Sequence, residues 1–214
     1  MKPFDVVLAI STVVLVALAA PTAFQIATLA HETRQPPEAL GEVPRFTALV
    51  ADAPRIGPQG AALEAVVFFD YACAACRRGA EALDALLDEY STEVSLTFRH
   101  FPLISDHSVL AARAAECADQ RGAFQPIHQL LLSAEFPPAS FATAIPELFR
   151  EAGFETRGDW MACVEGLESG IAVSDDLASA MALGISATPT FLLNGEVFEG
   201  GIAAFGRLLR QRAK

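Results

Sequence analysis

From Val6 to Ala30 the chain carries no charged residue, whereas from Glu64 onward short apolar runs alternate with amphipathic stretches. Ala65-Val66-Val67-Phe68-Phe69 is a continuous β-rich apolar run, the pattern of a strand buried on both faces. After it, Cys76, Gly79, Leu83, Leu86, Leu87 and Tyr90 fall on one helical stripe, with Arg77, Arg78, Glu81, Asp84 and Asp88 elsewhere around the cylinder. Val94-Ser95-Leu96-Thr97-Phe98 then alternates with period two and predicts a second strand. A strand, a helix and a strand in this order make a β-α-β unit, whose strands are parallel and whose crossover is right-handed.

Residues 106–183 hold no convincing strand and are rich in Ala, Leu and helical stripes, broken near Gly122, Pro137-Pro138, Gly153 and Gly170. They predict a helical insertion. Strands return with Thr190–Leu193 and Glu196–Glu199, joined by Asn194-Gly195, the strongest short-range hairpin signal. A last helix follows, with Ile202, Phe205, Leu208 and Leu209 on one face. The expected fold class is α/β: a thioredoxin-like fold with an inserted helical subdomain, occupying residues 61–211 and preceded by an N-terminal hydrophobic helix. Residues 31–60, with Pro36-Pro37, Pro44, Pro54 and Gly57-Pro58, read as a linker with little regular structure apart from a short strand at Phe46–Val50.

The uncharged run changes the picture of residues 1–30. Its 25 residues are long enough to span a hydrocarbon core of roughly 30 Å at about 1.5 Å per residue. A cleaved signal peptide is the competing reading, with Lys2 at the start and a small-x-small triplet at Ala17-Leu18-Ala19. The apolar run continues well past that triplet to His31, which favours an uncleaved membrane anchor. Either way the remainder is exported. The formal charge of −11 lies entirely in that remainder, since Lys2 and Asp5 cancel. Duplex nucleic acid is excluded as a partner, because phosphate binding needs a basic face.

Export gives the four cysteines their meaning, because disulfides persist outside the reducing cytosol. Cys73-Ala74-Ala75-Cys76 stands where the first strand hands over to the first helix. Cys73 therefore meets the helix N-terminus, whose unpaired N–H groups and positive dipole end favour the nucleophilic thiolate. Cys76 lies three residues on, at the start of the buried stripe. One activated sulfur and one sheltered sulfur within reach are what exchange through a mixed disulfide requires. A zinc ribbon would want a second CxxC, and Cys117 and Cys163 sit far apart in helical stripes. Both are read as facing the interior of the helical block, Cys163 beside Trp160, Val164 and Leu167, where a structural Cys117–Cys163 disulfide is expected in preference to two free thiols.

Three segments carry a family resemblance: Phe68-Phe69-Asp70-Tyr71-Ala72-Cys73-Ala74-Ala75-Cys76, Arg99-His100-Phe101-Pro102-Leu103, and Gly184-Ile185-Ser186-Ala187-Thr188-Pro189-Thr190-Phe191. In this order, over residues 60–211, they resemble the DsbA-like family of exported thiol:disulfide oxidoreductases. The resemblance implies Cys73 as nucleophile, Cys76 as resolving cysteine and Thr188-Pro189 as a cis-proline loop facing them. It implies exported protein substrates with thiols or disulfides, a membrane redox partner that resets the pair, and a periplasmic location. Relatives often carry Pro-His or Pro-Tyr between the cysteines. Ala74-Ala75 offers no imidazole or side-chain donor there.

The remaining polar residues have plainer expectations. Asp70 reads as a helix-entry residue, or as a like charge opposing the Cys73 thiolate. His100, His107 and His128 lack metal-ligand spacing, the first two falling on a strand end and a loop, so neither metal nor other cofactor is expected. Trp160 reads as core. The competing function is copper delivery, with Cys73 and Cys76 as soft Cu(I) ligands. It is disfavoured because only three methionines exist and none lies near the motif.

Overall fold

The computed structural model describes residues 46–133, 150–198 and 200–213. The uncharged run at residues 6–30 and the Pro137-Pro138 break lie outside the described residues. Among the described residues no helix is long and apolar enough to cross a membrane.

Along the chain the elements are α1 (Phe46–Val50), β1 (Arg55–Ile56), β2 (Leu63–Phe69), α2 (Ala74–Glu89), β3 (Val94–His100), α3 (Asp106–Asp119), α4 (Phe124–Ser133), α5 (Arg157–Val164), α6 (Leu167–Ala182), β4 (Thr190–Leu193), β5 (Glu196–Phe198) and α7 (Ile202–Arg212). The five strands form one mixed sheet in the order β1-β3-β2-β4-β5. β2 and β3 run parallel, with Phe69 opposite His100, and β4 returns antiparallel beside β2. Asn194 and Gly195 both have positive φ, 48° and 90°, which is what a two-residue hairpin turn needs.

Period-two alternation along β2 divides the interior. Ala65, Val67 and Phe69 point into the larger core, closed by α2, α3, α4, α5 and α7 and including Trp160. Val66 and Phe68 point to the other face, where Leu49 of α1 and Ala180 and Leu177 of α6 cover them together with Leu192 of β4. Helix α2 approaches α7 so closely that a Cβ on Gly79 would lie 2.2 Å from the Ile202 side chain. The expected strand at Phe46–Val50 is thus corrected to a helix. Phe46, Leu49 and Val50 at i, i+3 and i+4 present one apolar stripe to the second face of the sheet.

Sheet pairing begins before residue 61, since β1 pairs antiparallel with β3, Arg55 opposite Thr97. Arg99 fixes this entry segment. Its guanidinium donates to the main-chain oxygens of Ala48, Leu49 and Ala51 at the end of α1 and to Asp176 of α6 at 2.8 Å.

Candidate active site

β2 ends at Phe69, and a turn carries the chain to α2, with the Cys73 N–H donating to the Asp70 oxygen at 3.0 Å. Cys73 is the N-cap of α2, extended at φ −70° and ψ 119°, and no side chain caps the helix there. The first-turn N–H groups are left to the Cys73 sulfur. Partial burial raises the Cys73 thiol, but hydrogen bonding from the Thr188 side chain and from the N–H groups of Cys76 and Ala75 outweighs it, and the net effect lowers the pKa from the ordinary cysteine value. Cys76, three residues along the same helix, is fully buried. Burial pushes its thiol far above the ordinary value, and the charge of Cys73 adds to this. Both cysteines are free thiols.

The second wall comes from the segment before β4. The Thr188-Pro189 peptide is cis, and the Thr188 main-chain oxygen accepts from the Cys73 thiol at 3.3 Å. A groove of about 480 Å³ runs alongside, lined by Ala75, Ser186, Ala187, Pro189, Gly200 and Gly201 among others. Among the described residues no charged side chain lines it. Cys73, Cys76, Thr188 and Pro189 are therefore brought together from two segments more than a hundred positions apart.

Asp70 stands in the turn that enters α2. It does not cap α2, and its carboxylate faces amides. Oδ1 accepts from the Ala72 N–H at 2.8 Å, while Oδ2 accepts from the N–H groups of Leu103 at 2.8 Å and Ile104 at 3.1 Å. The side chain is buried. Sequence reasoning missed the partners because they lie 33 and 34 positions away, with no local spacing to announce them.

Cys117 of α3 and Cys163 of α5 form a disulfide across a sequence separation of 46. Closing a loop of that size contributes about 2–4 kcal/mol through the unfolded state. It fastens two helices of the insertion. Cys163 is only half-buried, and Leu167, expected on the same inward stripe, is 79% exposed because α5 ends at Val164 and α6 starts a new direction.

His107 lies in the first turn of α3 and not on a loop. His100 and His128 are buried, and His128 Nδ1 meets the Tyr71 hydroxyl at 2.9 Å within a cluster of aromatic rings. Among the described residues one group of His, Asp and Glu has ligand atoms close together, namely His100, Glu116 and Asp176, and neither Cys73 nor Cys76 belongs to it. Both Asp176 oxygens are occupied, by Arg99 and by the His100 N–H, and Glu116 lies 3.1 Å from His100 Nε2.

A family model described as thioredoxin matches residues 50–209. A thioredoxin-like oxidoreductase from Silicibacter pomeroyi is 27% identical, with a TM-score of 0.68 over 80% of this chain and 99% of that one. The catalytic domain of Proteus mirabilis ScsC (23% identity, TM-score 0.65, 78% and 94% covered) and oxidised BdbD from Bacillus subtilis (17%, 0.65, 83% and 98%) share the fold. Among curated proteins, the Na(+)/H(+) antiporter NhaA 1 of Salinispora arenicola is 31% identical over 154 residues, 67% of this chain. The chain spans only 22% of that relative's length.

Proposed function

The chain belongs to the thioredoxin family, on its DsbA-like side, and from that premise we propose that it exchanges disulfides with exported polypeptides through Cys73. The carrying observation is the opposed setting of the two sulfurs: Cys73 is half-buried with its pKa lowered, and Cys76 is buried with its pKa raised. With both thiols reduced, the Cys73 thiolate attacks a substrate disulfide, forms a mixed disulfide and releases one substrate thiolate. Cys76 then loses its proton and attacks the Cys73 sulfur, releasing the second substrate thiolate. The substrate gains two electrons and the protein keeps a Cys73–Cys76 disulfide. The reverse sequence oxidises a dithiol substrate, and the potential of the pair against its partners sets the net direction. Thr188 and Pro189 border the attacking sulfur, and the groove beside them receives the extended substrate chain.

The domain acts outside the cytosol, reset by a membrane redox partner, with residues 6–30 as its anchor. The uncharged sequence of that run supports the anchor. Attachment that survives an alkaline carbonate wash is expected, and a mature N-terminus near Ala20 would overturn it. Cys73→Ala should abolish thiol exchange with a model disulfide substrate, and full exchange by that variant would overturn the proposal. Copper delivery would instead require stoichiometric Cu(I) binding by the reduced pair.

A further inference from the structure

The redox pair has an anchor that lies outside the CxxC motif. We propose that Asp70 is the positioning residue of the pair, its carboxylate tying the Cys73 turn to the Leu103–Ile104 segment and so holding in place the main chain that meets both sulfurs. This rests on the exchange reading above.

Asp70 touches the site through its backbone. Its carbonyl accepts from the Cys73 N–H at 3.0 Å, and a backbone hydrogen bond from Asp70 reaches the Cys76 sulfur. Its side chain is 1% exposed and spans two segments, with Oδ1 on the Ala72 N–H and Oδ2 on the Leu103 and Ile104 N–H groups. A buried carboxylate is costly unless donors surround it, and here three amides converge on it from both sides of the turn. The Leu103–Ile104 segment follows directly on β3, whose last residue His100 is paired with Phe69, and the Phe101 N–H donates to the Phe69 oxygen at 2.9 Å. Asp70 continues that pairing by a side chain where the two backbones diverge. The turn carrying Cys73 is thereby referenced to the sheet as well as to α2.

Asn separates this role from a local one. If Asp70 only closed a turn on Ala72, one acceptor oxygen would suffice and Asn would replace it without loss. A two-sided tie needs an acceptor on each side, and the Asn NH₂ would face either Ala72 or the Leu103 and Ile104 N–H groups, leaving donor against donor.

The test is Asp70→Asn in the full chain, with three readings beside the parent protein: hydrogen exchange at the Leu103 and Ile104 amides, thiolate absorbance of Cys73 against pH, and equilibrium with glutathione. Expected are exchange at those amides faster by about tenfold or more, a higher Cys73 pKa, and a glutathione equilibrium moved about threefold or more toward the protein disulfide, because the thiolate loses its ordered donors. Amides that stay protected would overturn the tie. Freed amides with a Cys73 pKa that is unchanged or lower, or with an equilibrium that does not move toward the protein disulfide, would overturn the positioning role. Should Asp70→Asn not fold, Leu103→Pro removes one donor from the exposed segment and leaves the carboxylate in place, and the same titration decides. A parent protein that fails to exchange with glutathione would count against the exchange reading itself, which keeps the two failures apart.

Discussion

The Cys73 sulfur stands 3.3 Å from the main-chain oxygen of Thr188, a contact that closes 115 positions of sequence. The thiol donates to that oxygen, and once deprotonated it turns to donors: the Thr188 side chain and the N–H groups of Cys76 and Ala75. Thr188→Val keeps the carbonyl and deletes the hydroxyl. The Cys73 pKa should rise, because the thiolate loses one of its hydrogen-bond donors. Thiolate absorbance between pH 4 and 10 measures it, and an unchanged titration would assign the stabilisation to the helix N-terminus alone.

Ala75 is exposed at the motif and its N–H reaches the Cys73 sulfur, yet its side chain adds no donor. Ala75→His brings an imidazolium beside the thiolate. A lower Cys73 pKa and a higher reduction potential should follow together, because stabilising the thiolate stabilises the reduced form. Paired absorbance and glutathione measurements check this. If both quantities stay put, side chains inside the motif do not set the poise.

The placement of the cysteine pair is legible in the sequence because its signals are local. A strand, a CxxC and a helical stripe specify where Cys73 and Cys76 stand, and Asn194-Gly195 specifies the hairpin. What was not legible depends on distant partners. Phe46–Val50 has a strand-like composition, and only the apolar patch of Val66, Phe68 and Leu192 makes it a helix. No local spacing announces the partners of Arg99 and Asp70, which the fold supplies from the end of α1 and from the Leu103–Ile104 amides.

Two buried histidines give stability opposite pH dependences. Burial, with the charge of His100 in support, pushes His128 down to about 3. As pH falls below the ordinary histidine value of 6.5, the unfolded chain takes a proton that the folded chain refuses, so stability is lost progressively toward pH 3. For His100, burial acts downward, but hydrogen bonding and charge from Glu116, helped by Asp176, prevail and raise it. That contribution is complete below about 6.5 and fades as pH rises through the raised folded value. Denaturant unfolding at a series of pH values should show stability falling on both sides of this range. His128→Phe should flatten the acid flank and Glu116→Gln the alkaline one. An acid flank unchanged in His128→Phe would contradict the assignment.

The central claim is that Cys73 attacks and Cys76 releases, and trapping tests it most directly. With Cys76→Ala the Cys73 thiolate can still open a substrate disulfide, but the resolving sulfur is gone, so mixed disulfides should accumulate. The variant is expressed in the native compartment, free thiols are blocked with an alkylating agent, and the protein is recovered without reductant. The account predicts a ladder of reductant-sensitive adducts with exported proteins that is lost in Cys73→Ala. Recovery of no adducts from Cys76→Ala, or of the same adducts from Cys73→Ala, would contradict it.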